Sequence, residues 1–195
     1  MSKALLNGKI YSSSKIDGWT VTWEGDEHYR HWCLQEKHGQ ENAPQMLVVM
    51  LNPGSLRGSG ENLRKDTTLR ILRNVFSSSK YNCLVANLFD LAGQPKEFFN
   101  EWKSKDKNSQ FVYDSLFNNF RIEGVIFAYG DCENSTKKEF QSELQNRISL
   151  VRKKLQKISI IDSPQNSSGT PMHPMGWQIK KKLDCVANTI ISHCS

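Results

Sequence analysis

Asparagine, histidine and carboxylate side chains recur in this chain where apolar runs stop, and these residue types hold water and move protons. The run QMLVVML ends at Asn52-Pro53-Gly54-Ser55, and CLVANLF carries Asn87 and Phe89 into Asp90. GVIFAYG runs out at Tyr129-Gly130-Asp131, and KISIIDS leads through Asp162 to a loop holding Met172-His173-Pro174-Met175. If the runs are parallel strands, their carboxyl ends share the sheet edge where α/β proteins bind ligands. Two amides, several carboxylates and one histidine would then meet in one crevice. Each residue also has a plainer account: Asn52 starts an Asn-Pro-Gly turn, Asn87 satisfies backbone groups, His173 sits in a surface loop. Their joint placement at successive strand ends favours the crevice.

Other chemistries fit less well. GSLRGSGENLRK (54–65) lacks the G-K-[ST] ending of a phosphate-binding loop, and no G-x-G-x-x-G follows a strand. Neither G-x-S-x-G nor H-E-x-x-H occurs. His28 and His31 lie three apart, so on one strand they face opposite sides and make poor joint metal ligands. The expected site is free of metal and cofactor.

The elements that must position these residues follow from period and composition. Residues 17–38 alternate around Glu24-Gly25-Asp26 and predict a β-hairpin, with Trp19, Val21 and Trp23 on one face. Short apolar stretches at 45–51, 83–89, 124–130 and 157–163 read as strands buried on both faces. Helical spacing marks 66–78, with Asp66 or Thr67 as N-cap, and also 109–120, 135–156 and 176–194. The alternation predicts one three-layer α/β/α domain over residues 1–195. Its mostly parallel central sheet would have about four strands, preceded by a hairpin extension at 1–40.

The 195 residues, 37% hydrophobic, suit one domain with a real core. No apolar stretch approaches the ~20 residues of a membrane span. The N-terminus lacks the apolar run of a signal peptide, so a cytoplasmic, monomeric protein is expected. Five scattered cysteines without C-x-x-C read as free thiols. Between Lys137 and Lys182 stand ten basic residues against three acidic ones, so this segment is more basic than the whole chain at +6. A polyanion such as DNA would account for that, with Lys137, Lys138, Arg152, Lys153 and Lys180 as phosphate contacts. Lysines that merely keep helical faces soluble account for it equally well.

The series Met50-Leu51-Asn52-Pro53-Gly54-Ser55, Asp66-Thr67-Thr68, VANLFDL (85–91), Tyr129-Gly130 and His173-Pro174 resembles an uncharacterised family of small bacterial and phage proteins with NPS, DPT, NLF, WG and HPL motifs. The resemblance covers about residues 28–177. The same order is similar to the uracil-DNA glycosylase superfamily, whose first motif is G-Q-D-P-Y or G-I-N-P-G and whose late loop is H-P-S-P-L-S. This resemblance implies a DNA glycosylase in which Asn52 holds the attacking water and His173 stabilises the departing base. Asn87 would read a flipped pyrimidine, and Met175 or Trp177 would wedge into the stack. It also implies substrate contacts at Pro53, Gly54, Ser55, Arg57, Arg64, Phe89 and Asp90.

Departures sharpen the expectation. The superfamily's aromatic platform is missing, with Arg64, Lys65 and Asp66 in its place, so Asp66 is a substrate contact, a general base or only a helix cap. Met175 replaces the loop serine. Gly54 stands where the uracil-specific branch carries a blocking tyrosine, which implies room for a 5-substituted pyrimidine. A Brig-type anti-phage glycosylase, which excises glucosylated hydroxymethylcytosine, has a compatible pattern. A non-catalytic nucleic-acid-binding module and a nucleotide or nucleoside hydrolase are the alternatives.

Overall fold

The computed structural model describes residues 2–6, 8–26, 28–54, 60–93, 95–105, 110–131 and 138–193. The apolar runs fold into neighbouring strands, as their doubly buried pattern requires. The strands are β1 (Ser2–Leu6), β2 (Lys9–Ile16), β3 (Trp19–Gly25), β4 (Arg30–Lys37), β5 (Gln45–Met50), β6 (Asn82–Asn87), β7 (Ile122–Phe127) and β8 (Ser159–Ile161). They make one eight-stranded sheet in the order β1-β2-β3-β4-β6-β5-β7-β8. Strands β6, β5, β7 and β8 are parallel neighbours, the four expected. The rest of the sheet corrects the expectation. The predicted hairpin, β3 with β4, continues the same sheet by pairing β4 antiparallel to β6. Strands β1 and β2 extend it further, so the sheet is mixed rather than mostly parallel. Asp17 and Gly18 both take positive φ, the two-residue turn that joins β2 to β3 with the right twist.

The helices are α1 (Gly60–Lys65), α2 (Thr67–Phe76), α3 (Pro95–Lys105), α4 (Gln110–Asn119), α5 (Lys138–Lys154) and α6 (Lys180–Ser192), with a 3-10 turn at Pro174–Gln178. Alternate residues of β5 and β6 point to opposite faces and build two cores. On one face Met46, Val48, Cys83 and Val85 meet Leu69, Leu72 and Phe76 of α2 and Val186 and Ile190 of α6. On the other, Leu47, Val49, Leu84 and Ala86 meet Phe98, Tyr113, Phe140 and Leu144 of α3, α4 and α5. The expected tail helix is broken at Ile179, which is extended (φ −66°, ψ 117°) between the 3-10 turn and α6.

This topology places the candidate residues. The chain leaves β5 for α1 and α2 on one face, whereas β6 and β7 lead to α3 and α5 on the other. The carboxyl end of β5 is thus flanked by connections of opposite direction, the crevice geometry of α/β sheets.

Candidate active site

Asn52 follows β5 by two residues, and its amide stitches that strand end to the next. Its Nδ2 donates to the carbonyls of Pro53 (2.9 Å), Gly93 (3.1 Å) and, weakly, Leu91 (3.4 Å). The backbone joins in, with Leu88 N on Met50 O and Gly93 N on Pro53 O. Three carbonyls fix the amide's orientation and leave Oδ1 with no donor among the described residues. Pro53 is buried beneath it. Gly54 is exposed, and a Cβ built there meets no described atom within 4 Å. Ser55 and Arg57 lie outside the described residues.

Asn87 ends β6 beside Met50 and is 1% exposed. Neither its Nδ2 nor its Oδ1 has a hydrogen-bond partner. Its backbone carbonyl accepts from the Tyr113 hydroxyl at 2.9 Å, so the peptide is satisfied while the side chain is not. Each unpaired buried polar group costs about 1–3 kcal/mol, so the amide is held here against a penalty.

Asp66 is the N-cap of α2: its Oδ1 accepts from Leu69 N at 3.0 Å. Its Oδ2 lies 3.4 Å from Nη2 of Arg30. Both oxygens are engaged, and Asp66 serves as the helix cap rather than as a free base. Arg64 is exposed in the last turn of α1, just before it.

Arg30 was missed by the sequence reading. It reaches Asp66 through a β-bulge, because the β3–β4 register shifts where Gly25 faces Arg30 and Glu24 faces Trp32. Strict alternation would send Arg30 to the side of Trp32, into the α5 core. The extra residue, His31, returns it to the side of Cys33 and Asp66. His31 itself meets Asp90, Nδ1 to Oδ2 at 2.9 Å. Asp90, expected to touch substrate, is fully buried and serves to hold this histidine. The only sequence signal for Arg30 was an arginine close before the apolar Trp32-Cys33-Leu34 of this strand.

His173 opens the 3-10 turn, and its Nδ1 accepts from Met175 N at 3.2 Å. The proton of the neutral ring is therefore on Nε2, where it can be donated. Burial holds the His173 pKa below the usual imidazole value, against the opposing pull of the Asp66 charge. The loop carrying it is pinned to the sheet by Gly130 N on Pro171 O and Met172 N on Pro164 O. Asp131 holds the same loop by accepting from Ser168 and Thr170. Met175 is 44% exposed beside the crevice.

Several expected contacts are corrected. Trp177 is 0% exposed in the α2 core, with its indole N–H on Met172 O, so it cannot act as a wedge. Phe89 lies in the opposite core, stacked on Phe140 with Arg147 over its ring at 4.0 Å, so it does not line the crevice. The basic segment is split between the faces of the sheet. Lys138 is exposed in the first turn of α5, and Lys137 lies outside the described residues. Arg152 lies over Phe127, and Lys153 lines a hollow with Ile122 and Ile158, at the amino ends of β7 and β8. Arg152 and Lys153 are carried by the α5 face, whereas Lys180 starts α6 on the face of the crevice.

Burial pushes the Cys33 thiol up to about 12, and that of Cys83 also upward, so neither is a nucleophile. Among the described residues no group of three or more His, Cys, Asp or Glu side chains could hold a metal. None of the described helices is long and apolar enough to cross a membrane.

No curated protein and no solved structure matches this chain. The sequence profile of one family, described as "Protein of unknown function (DUF1643)", matches residues 30–175, a span that begins at Arg30 and contains Asn52, Asp66, Asn87 and His173. The chain belongs to the DUF1643 family.

Proposed function

We infer that the protein is a monofunctional DNA glycosylase that cleaves the N-glycosidic bond of a flipped pyrimidine and leaves an abasic site. One observation carries the reading: the unpaired amide of Asn87, buried at the carboxyl end of β6 next to β5, the strand that Asn52 follows by two residues. An amide with one acceptor and two donors complements a pyrimidine edge, which also mixes donors and acceptors.

The remaining residues supply the chemistry. Asn52 Oδ1 orients a water below the sugar, because its Nδ2 is committed to the loop carbonyls. The C1′–N bond breaks with its electron pair leaving on the base, and the water oxygen bonds C1′. His173 donates a hydrogen bond from Nε2 to the anionic base, and its neutral state suits that task. The proton released by the water neutralises the base, so water and nucleotide yield free base and abasic sugar. Gly54 leaves space for a 5-substituent, which favours modified cytosines such as glucosylated hydroxymethylcytosine over uracil and fits a role in anti-phage defence. Met175 is the exposed apolar side chain placed to fill the gap left by the base.

The division of the basic residues between two faces favours a second reading, a hydrolase of free nucleosides, because only Lys180 of the expected described phosphate contacts shares the crevice face. One experiment separates the readings. Duplexes and single strands carrying uracil, 5-hydroxymethylcytosine or its glucosylated form are incubated with the protein and cleaved with alkali, and the matching nucleosides are followed by chromatography. Strand breakage that drops ~10²–10³-fold in Asn52→Ala and in His173→Ala is expected. Base release from nucleosides alone would install the second reading, and no release from any substrate would remove both.

A further inference from the structure

The face of the sheet that carries the crevice holds two buried arginines whose donors are only partly used. Arg30 is 3% exposed, and only its Nη2 has a partner, the long 3.4 Å contact to Asp66. Its Nε and Nη1 are fully withdrawn from solvent and unpaired. Arg73 of α2, also 3% exposed, donates Nη1 to Gln35 and leaves its own Nη2 unpaired. Asp66, the acid paired with Arg30, already caps a helix, and the leading acidic neighbour of Arg73 is Asp17.

A pyrimidine edge does not use these donors. The amide of Asn87 can meet both a donor and an acceptor of the base, so the guanidinium donors remain for something else. Arginine presents its donors as a planar fork that suits paired oxygen acceptors. The sheet geometry supports a dedicated position, since a bulge turns Arg30 away from the α5 core and toward Asp66. The open space at Gly54 gives a substituent somewhere to lie.

We propose that Arg30 is a specificity-determining residue, pairing through Nε and Nη1 with oxygen acceptors on the 5-substituent of the pyrimidine. The substrate class is then an oxygen-bearing 5-substituted pyrimidine, and the 5-methyl analogue, which lacks the oxygen, is discriminated against. This proposal rests on the reading that the crevice accepts a flipped base.

The test compares oligonucleotides carrying 5-methylcytosine, 5-hydroxymethylcytosine and 5-carboxylcytosine with the wild type, Arg30→Met and Arg30→Lys. The wild type is expected to favour the oxygen-bearing bases in kcat/KM by at least ~10-fold. Arg30→Met collapses that ratio, and Arg30→Lys restores part of it. A ratio cancels any loss of folded protein. A ratio unchanged in Arg30→Met overturns the proposal and leaves water as the partner of these donors, with the glycosylase reading intact. If the wild type cleaves none of them, equilibrium binding by fluorescence anisotropy decides. A preference for oxygen-bearing oligonucleotides that disappears in Arg30→Met upholds the role of Arg30 while removing the catalytic reading. Equal binding of all three removes both.

Discussion

Two arginines on opposite faces of the sheet, Arg30 buried and Arg147 part-buried, have opposite surroundings. Arg147 of α5 donates to Glu143 and to the Leu88 carbonyl and lies over the Phe89 ring, so its charge, stem and plane are all engaged. Arg30 of β4 has one long contact and two idle donors. The Arg147 face is finished as structure: Phe89, Phe98, Trp102 and Phe140 pack edge to face and stacked around it. The Arg30 face retains polar groups that folding alone does not satisfy. Unmet hydrogen-bonding capacity at a strand end is the feature on which the proposed ligand site rests.

This contrast can be attacked from both sides. The largest effect is expected from Phe89→Ala, which empties the centre of the aromatic cluster. Urea unfolding is expected to show a loss of about 3–5 kcal/mol, and a loss below about 1 kcal/mol would mean that face is not the rigid one. Asn87→Leu has the opposite sign, because it deletes two unpaired buried polar atoms and adds apolar volume. It is expected to leave stability unchanged or raise it by about 1 kcal/mol while abolishing base release. Destabilisation by several kcal/mol would show that Asn87 is satisfied by structure rather than reserved for substrate.

Gly54→Tyr is smaller in its effect on the fold, since the glycine has ordinary φ and open surroundings. Turnover of 5-substituted bases should fall relative to uracil, with thermal stability nearly constant. The smallest effect is that of pH on His173. Its pKa is lowered on folding, so its contribution to stability is complete above the unfolded value of about 6.5 and declines as pH falls below it. Melting curves from pH 8 to pH 5 should show the wild type losing ground to His173→Gln in the acid range. Parallel curves would mean that the ring is not held neutral.

The sequence made the middle of the sheet legible for a physical reason. Strands β5 and β6 are buried on both faces, so their side chains are apolar without interruption. Strands β1 and β2 stayed hidden because an edge hairpin with an exposed face can be written in serine and lysine, as in KIYSSSKI. Helix α3 was obscured by its charged composition, although Phe98 and Trp102 at i and i+4 carried the signal. At the candidate site, the strand-end punctuation corresponds to Asn52 just past the end of β5, to Asn87 at the end of β6 and to the loop of His173. Side of the sheet was harder. Phe89 shares the parity of Asn87, but β6 ends at Asn87, and the bend after it delivers the ring to the other core. Trp177 looked like a wedge because it follows the histidine loop, and only tertiary packing reveals it as core. The lysine run looked continuous in sequence and is divided because α5 and α6 pack on different layers.

The bulge at His31 has a genetic consequence. Inserting one residue opposite it, between Glu24 and Gly25, would restore regular pairing and turn Arg30 to the side of Trp32, with no change in the amino acid itself. The facing of Arg30 is thus specified by the one-residue mismatch between β3 and β4 at this point. A change of strand length by one residue, rather than a substitution, is expected to decide which side of the sheet carries this guanidinium.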